Sequence, residues 1–359
     1  MTEEATEGTA KRSSPAKMAA RIVIALVLIV VIFWYLLKDI SLADVWAAIT
    51  AMTWVELVGL AVVAGWNLVT YALVWMTVTP GLGFGRAMLM TQATTAITNT
   101  VPAGSAIGIG MTYAMLHSWG FSRSRTTIAV LVSGVWNAFA KLAIPVLALA
   151  LVALQGDATA ARVTAAAFGI GGLIAAIVIF ALMLRSEHMA ERVGVIAGRI
   201  ASRLLALIRR PPVQGWEIAT VKFRNRTVDL LEHGWFPITA ATVVSHLSLY
   251  LVLLVCLRDV GVSNAQVGWA EVLAVFAFAR LATAIPITPG GAGVVEAVLI
   301  TGLSAAGGDK AEVVAAVLVY RALTWGLPVL VGVVCLLWWR RQTLTSPAEE
   351  ASSTGAARP

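Results

Sequence analysis

The stretch AIPITPGGAGVVEA, residues 284–297, decides how this chain folds, because it interrupts a long apolar segment at 268–305. A second apolar segment, 85–117, is interrupted in the same way by VPAG at 101–104. Proline and glycine end helices, so each segment divides into halves of about 12–18 residues. Most such halves are shorter than the roughly 30 Å hydrocarbon core of a bilayer at 1.5 Å per helical residue. The sequence therefore predicts two re-entrant broken hairpins, each returning to the side from which it entered.

The composition of the whole chain supports a membrane location. Of its 359 residues, 59% are hydrophobic and only 13% are charged, whereas soluble domains average about 45–50% and 25%. The uninterrupted apolar runs long enough to span a bilayer lie at 21–38, 56–79, 126–154, 163–184, 236–258 and 313–339. We therefore predict an all-α integral membrane protein with about six spanning helices plus the two hairpins, and we exclude a soluble enzyme.

The distribution of basic residues predicts the orientation. With the N-terminus inside, 19 Lys and Arg residues fall in cytoplasmic segments and 4 in outer segments, which is a strong positive-inside bias. We expect a multi-pass protein of the cell membrane with both termini cytoplasmic. The basic charge then marks loops, and no nucleic-acid partner is expected.

The parts outside the apolar runs form three segments. Residues 1–20 and 341–359 show no hydrophobic periodicity and are predicted to be disordered cytoplasmic termini flanking a transmembrane domain at 21–340. The cytoplasmic segment 185–235 contains an amphipathic helix, predicted either to lie on the membrane surface or to be a solvated linker. Its apolar stripe consists of Met189, Val193, Ile196, Ile200 and Leu204.

Self-comparison suggests an internal repeat. Pro102 is echoed by Pro286 and Pro145 by Pro328, at separations of 184 and 183 residues. Each unit, about 53–154 and about 236–339, consists of a spanning helix, a broken hairpin and a second spanning helix. The predicted topology runs the two units in opposite directions, which is the inverted repeat of alternating-access transporters. The alternative is that two unrelated hairpins share the breaks that any re-entrant segment needs.

Four charged residues inside apolar runs are candidates for substrate binding, because charges in hydrocarbon are expensive and usually functional or paired. They are Lys141, Arg280, Glu296 and Arg321. Arg280 and Glu296 flank the same break and are expected to meet across it, either as part of a binding site or as a structural ion pair that locks the hairpin.

The residues at the two breaks are the second group of candidates. They are Pro102, Gly104, Pro289, Gly290 and Gly291. A new helix begins after each break, and its N-terminal N–H groups could bind an anionic group such as a phosphate at the membrane midplane. The alternative is that the glycines only permit tight turns and close helix packing. His246 and Asn67 are interpreted as hydrogen-bonding groups between helices.

The break at 284–297, with Arg280 before it and Tyr320-Arg321 after it, resembles the flippase-like transmembrane domain of lysylphosphatidylglycerol synthetases. The segment NTVPAG at 99–104 is similar to that family's first hairpin, and the likeness covers about 20–340. The resemblance implies a multi-pass protein that moves aminoacylated phospholipid or handles polyprenol-linked sugars. The sequence lacks the aminoacyl-transferase domain, so we expect a stand-alone member without synthase activity.

The function expected from the sequence is a lipid flippase that moves a phospholipid or a polyprenol-linked lipid between leaflets. We expect no enzymatic activity, no cofactor and no metal; membrane lipids are the expected partners, with a lipid-modifying enzyme as a further candidate. No GxxxxGK[ST] motif for ATP binding is present in the sequence. The alternatives are a secondary transporter of a small anionic solute and a non-transporting assembly partner of another membrane enzyme.

Overall fold

The computed structural model describes residues 41–101, 104–154, 160–207, 211, 215–283 and 288–355, and in these residues the regular structure is helical. Pro102, Pro286 and the first apolar run at 21–38 lie outside the described residues. The helices are α1 (Leu42–Thr50), α2 (Trp54–Val78), α3 (Phe84–Thr100), α4 (Gly104–Ser118), α5 (Arg123–Leu154), α6 (Ala160–Arg185), α7 (Glu187–Leu207), α8 (Trp216–Asp259), α9 (Trp269–Ala282), α10 (Val294–Ala305), α11 (Lys310–Arg321) and α12 (Leu327–Gly355).

Four of the predicted spanning runs form helices long and apolar enough to cross a bilayer. These segments are Trp54–Val78, Arg123–Leu154, Gly234–Asp259 and Lys310–Thr343. The last combines α11 and α12, which are joined by a π-helical turn at Ala322–Gly326. The run at 163–184 lies within α6, whose described apolar part, Gly169–Arg185, is a shorter helix. The all-α membrane fold is confirmed.

The two broken segments form the predicted helical hairpins. Helix α3 packs against α4, and α9 packs against α10. The four arms contain 17, 15, 14 and 12 residues, so each is about 18–26 Å long and shorter than the hydrocarbon core. The tips of both hairpins therefore lie at depth within the helical bundle, where irregular backbone is tolerated only if protein or a cavity surrounds it.

The helix packing supports the inverted repeat. Helix α3 of the first unit packs on α12 of the second, and α9 of the second unit packs on α5 of the first. Helices α2 and α8 pack against each other, with Asn67 Nδ2 donating to Ser248 Oγ at 3.1 Å and Thr70 Oγ1 donating to Ser245 Oγ at 3.3 Å. One residue number rises by three as the other falls by three, so the two helices cross antiparallel. Reciprocal packing around an antiparallel pair is what an inverted repeat requires.

The predicted amphipathic helix is α7, and it packs alongside the first part of α8. A Cβ added at Gly194 would lie 2.7 Å from the carbonyl oxygen of Trp216, so the small residues of α7 face α8. Two residues of the predicted apolar stripe, Ile196 and Ile200, are exposed by 56% and 54%, whereas Met189 and Val193 are half-buried. The helix is confirmed, and its position relative to the membrane surface stays a prediction.

Helix α12 continues past residue 340, where composition predicts the end of the transmembrane domain. Residues 341–355, expected to be disordered, continue α12 as far as Gly355. Extending an existing helix adds a backbone hydrogen bond per residue without a new nucleation cost. The polar C-terminal residues, which include Gln342, Glu349 and Glu350, can therefore remain helical beyond the apolar run.

Candidate functional site at the tips of the two hairpins

A cavity of about 280 Å³ lies between the two hairpin tips. The first hairpin contributes Thr94, Thr95, Thr98 and Asn99 from the last turns of α3; the second contributes Ala279, Arg280, Thr283 and Gly290. Tyr71, Tyr320, Arg321, Thr324 and Trp325 complete much of the wall. The cavity is thus formed by both repeat units at the depth where their broken helices meet.

The first hairpin provides a polar but uncharged wall that the sequence analysis missed. Thr94 and Thr98 are four residues apart in α3, as are Thr95 and Asn99, so these pairs share one helix face. The Thr94 hydroxyl donates to the carbonyl oxygen of Met90 at 2.8 Å, which keeps its oxygen free to accept. The i, i+4 spacing of polar residues within an apolar segment was the available signal.

The expected ion pair between Arg280 and Glu296 is wrong, because Glu296 pairs with Arg321. Arg321 Nε lies 2.8 Å from Glu296 Oε1, and Arg321 Nη2 donates to the carbonyl oxygen of Gly290 at 3.4 Å. Helices α10 and α11 are consecutive neighbours, so the end of α11 returns to the start of α10. Glu296, only 4% exposed, is consequently nearer to Arg321 than to the arginine preceding the break.

Arg280 is left without a charged partner. Its Nε is buried, and among the described residues its side chain has no hydrogen bond or ion pair. Lys141 lies beside it, donating from Nζ to Thr283 Oγ1 at 3.2 Å, and that hydroxyl donates to the backbone oxygen of Arg280 at 2.6 Å. Lys141 of the first unit is therefore attached to the tip of the second hairpin.

The charges around the cavity give it a positive balance. Glu296 neutralises Arg321, which leaves the charges of Arg280 and Lys141 uncompensated by any carboxylate of the described apolar segments. Uncompensated charge at membrane depth is costly and marks a functional site. The arrangement suits an anionic ligand, with Arg280 as the group able to make a bidentate contact to a phosphate.

The glycines at the breaks have different roles in the two hairpins. Gly290 has a φ of +59°, and a Cβ there would lie 2.6 Å from Trp325 Nε1 and 2.8 Å from Asn99 Oδ1. It therefore allows the second tip to contact the first across the cavity. Gly104 is buried, and a Cβ there would meet the carbonyl oxygens of Ile97 and Thr98 at 2.5 and 2.7 Å. Gly104 packs the arms of the first hairpin and does not line the cavity.

The remaining predicted residues lie next to the cavity. Pro289 opens a 3₁₀ turn, Pro289–Gly291, and Gly291 in it has a φ of +69°. Glu296 lies in the first turn of α10, where a carboxylate interacts favourably with the positive end of the helix dipole. The N-terminus of α10 is thus stabilised by the chain's own carboxylate, and the cationic side chains are the better candidates for ligand binding.

These features define a class of protein: a polytopic helical membrane protein with two broken helical hairpins and a cationic cavity between them. Residues 22–332 match the family model of the lysylphosphatidylglycerol synthase TM region. The match covers most of the chain, and the chain belongs to this family of membrane domains linked to lipids. A search of curated proteins finds no match.

Proposed function

We propose that this protein moves a lipid with a phosphate-bearing headgroup, a phospholipid or a polyprenol-linked lipid, between the leaflets of the cell membrane and performs no chemical step on it. The observation that carries the proposal is Arg280, whose guanidinium has no protein partner among the described residues and lines a cavity between the hairpin tips. A buried guanidinium without a carboxylate gains most from an anionic ligand, because charge-assisted hydrogen bonds strengthen in low dielectric.

The size of the cavity supports transport of a headgroup with the acyl or prenyl chains outside it. A volume of about 280 Å³ is at the lower end of ligand pockets and is too small for a whole lipid. The costly step in moving a lipid is taking its charged headgroup through hydrocarbon, and a polar cavity at the hairpin tips lowers that cost. The family relationship to lysylphosphatidylglycerol synthases favours a lipid over a soluble anion.

The charged residues take distinct roles in this proposal. Arg280 binds the phosphate, and Lys141 adds positive charge while it holds Thr283 beside Arg280. Glu296 and Arg321 stabilise the second hairpin against α11. Because this pair is already neutral, it is a structural element of the site and Arg280 is its binding element.

Reconstitution into liposomes tests the proposal. Wild-type protein should move fluorescent phosphatidylglycerol or a short-chain polyprenyl phosphate between leaflets faster than empty liposomes do, and Arg280→Gln should remove most of the increase. Arg86→Gln is the matched control, since Arg86 lies near the open end of the first hairpin, with its guanidinium carbon 5.7 Å from the ring of Trp119. Its lipid transport should equal that of wild type.

The same liposomes distinguish the alternatives. Uptake of labelled inorganic phosphate without lipid movement would overturn the proposal in favour of a solute transporter. If neither lipid nor phosphate moves, the protein is better explained as an assembly partner of a lipid-modifying enzyme, and co-purification from native membranes would identify that partner.

A further inference from the structure

A second cavity, also of about 280 Å³, adjoins the first and shares Arg280, Tyr71 and Leu249 with it. Ser133, Asn137 and His246 are among the polar residues that line it, and we call it the His246 pocket. Because Arg280 lies in the walls of both cavities, one guanidinium can contact a ligand in either. From the sequence, His246 is expected to bond to another helix. In the structure its Nδ1 contacts a carbonyl of its own helix and the residue lines the pocket.

The hydrogen bonding of His246 determines what its free nitrogen can do. His246 is 7% exposed, and its Nδ1 lies 3.0 Å from the carbonyl oxygen of Thr242 in its own helix. A carbonyl can only accept, so Nδ1 carries the proton and Nε2 of the neutral ring is an acceptor. Nε2 is buried without a partner. A ligand in the pocket therefore meets a cation at Arg280 and a hydrogen-bond acceptor at His246.

The position of the pocket along the helices gives its side of the molecule. Helix α2 contributes residues that follow its crossing with α8 at Asn67, and α8 contributes residues that precede Ser248 or lie next to it. The chain leaves this end of α2 and enters the α3–α4 hairpin at Phe84. The pocket thus lies in the half of the protein that contains the open ends of α3 and α4, which the charge distribution predicts to be cytoplasmic.

The inverted repeat allows a comparison with the opposite half. Applied to α8, the separation of 183 residues between Pro145 and Pro328 makes Val62 and Val63 the counterparts of Ser245 and His246. The same separation makes Ala316 the counterpart of Ser133 and Tyr320 the counterpart of Asn137.

The counterpart region is largely apolar and closely packed. Leu257, Ala316 and Val317, the counterparts of Val74, Ser133 and Gly134, are each 0% exposed, and Tyr320 is 3% exposed. The repeat geometry alone therefore does not produce a polar pocket. Among the described residues, the polar positions Ser133, Ser245 and His246 all have apolar counterparts.

We infer that the His246 pocket is the entrance for the headgroup, and that it accepts phosphate esters that carry hydroxyl groups, such as a glycerol or sugar phosphate. The phosphate contacts Arg280 and a hydroxyl donates to His246 Nε2. An ammonium-bearing headgroup is disfavoured by the positive charges of Arg280 and Lys141. For a lipid ligand the inference rests on the proposed function, whereas the pocket's ligand chemistry and its one-sided access can be tested without transport.

Binding to the purified, detergent-solubilised protein tests the ligand chemistry. Glycerol phosphate should bind at least tenfold more tightly than ethanolamine phosphate, measured by calorimetry, and more tightly than inorganic phosphate. His246→Leu should remove the advantage of glycerol phosphate over inorganic phosphate, and His246→Gln, which can supply an acceptor near the position of Nε2, should restore part of it. Equal binding of all three phosphates to wild type, or no effect of His246→Leu, would overturn the ligand assignment.

Cysteine labelling tests the one-sided access. Ser133→Cys and its repeat counterpart Ala316→Cys are each introduced into a parent protein that already carries Cys256→Ala and Cys335→Ser. Each variant is expected to retain a melting temperature near that of this parent. A membrane-impermeant thiol reagent should modify Ser133→Cys at least tenfold faster than Ala316→Cys, and only from the face with the open ends of α3 and α4. Equal rates, or reaction of Ser133→Cys from the opposite face, would overturn the entrance.

Liposomes distinguish a lipid from a soluble source of the phosphate ester. Faster movement of phosphatidylglycerol than of phosphatidylethanolamine, reduced about tenfold by His246→Leu, supports a lipid headgroup. If glycerol phosphate binds and labelling is one-sided but no lipid moves, the proposed lipid transport fails while the pocket stands. If lipid moves but His246→Leu leaves the rate and the headgroup preference unchanged, transport stands and the pocket assignment fails.

Discussion

The two hairpins have the same framework and different chemistry. The first is held together by glycines: a Cβ at Gly104 or Gly108 would clash with the end of α3, and its cavity-facing residues are threonines and an asparagine. The second carries Arg280 and Glu296 on either side of its break. The two hairpins therefore share a helix–break–helix backbone, whereas the charged residues Arg280 and Glu296 belong to the second hairpin.

The two halves around the antiparallel α2–α8 pair differ in the same way. One half contains the His246 pocket, and the other contains apolar side chains of α8 and α11 that belong to the largest core cluster. Inverted repeats exchange conformations during alternating access. Under the proposed function, the apolar packing of the other half has to loosen before a headgroup can leave on that side.

The largest expected effect breaks the ion pair between Glu296 of the second hairpin and Arg321. Glu296→Gln or Arg321→Gln should each destabilise the protein by about 3–5 kcal/mol, because a buried charge loses its partner. The double change to Gln at both positions should cost less than either single change, since no charge remains. Melting temperatures in detergent measure this. A double variant as unstable as the sum of the singles would contradict the pair.

The next largest effect concerns Arg280, the residue of the second hairpin that is proposed to bind the ligand. Arg280→Gln should lower the rate of lipid movement about 10- to 100-fold, which corresponds to a lost hydrogen bond to a charged group of about 1.5–3 kcal/mol. Its melting temperature should not fall, because Arg280 has no protein partner to lose among the described residues. A large loss of stability with normal transport in the surviving protein would assign Arg280 a structural role instead.

A smaller effect tests the packing of the first hairpin. Gly104→Ala should destabilise the protein by about 1–3 kcal/mol, because its Cβ meets backbone oxygens that cannot move aside. Gly110→Ala in the same helix is the matched control: no atom lies within 4 Å of its added Cβ. Thermal unfolding of both variants is the measurement. Equal stability of the two would show that the arms of the first hairpin are not in close contact.

The smallest expected effect concerns the hydrogen bond between α2 and α8, which belong to different units. A double-mutant cycle with Asn67→Ala and Ser248→Ala should give a coupling energy of about 0.6 kcal/mol, as is usual for hydrogen bonds between membrane helices. Asn67→Ala with Thr77→Ala provides the uncoupled control, since the Thr77 hydroxyl donates within its own helix to the carbonyl oxygen of Val74. A coupling energy indistinguishable from this control would contradict the crossing of α2 and α8 at these residues.

Much of the fold could be predicted because a bilayer imposes simple local rules. Run length and composition were enough to predict the all-α membrane fold, and the Pro and Gly breaks predicted where the two hairpins form. The inverted repeat stays a prediction that the helix packing supports. These signals concern neighbouring residues in the chain and the thickness of hydrocarbon, so no knowledge of distant contacts was required. The helical extension to Gly355 was missed because composition does not report that a preceding helix has already paid the cost of nucleation.

Partners within the site could not be predicted in the same way. Arg280 and Glu296 are close in sequence on either side of the break, and this proximity predicted an ion pair between them. In the structure Glu296 pairs with Arg321 instead. Which side chains meet depends on how α11 returns along α10, and that is a property of helix packing. The polar face of α3 can be recognised from the spacing of its residues in the sequence. The residues that it faces cannot be predicted in this way, because they lie almost 200 positions away in the chain.

The sequence by itself determined the class of the protein: how many segments suit a bilayer, where they break, and which unusual charges lie within them. Hydrophobicity and helix-breaking residues act on neighbouring residues of the chain, and their effects can therefore be predicted from the sequence. Only the tertiary structure decided which charge is left unpaired, that Arg280 borders two cavities, and that His246 lines one of them. Those outcomes depend on contacts between helices far apart in the chain, where the free energy of a buried charge is set by whichever neighbour the packing brings to it.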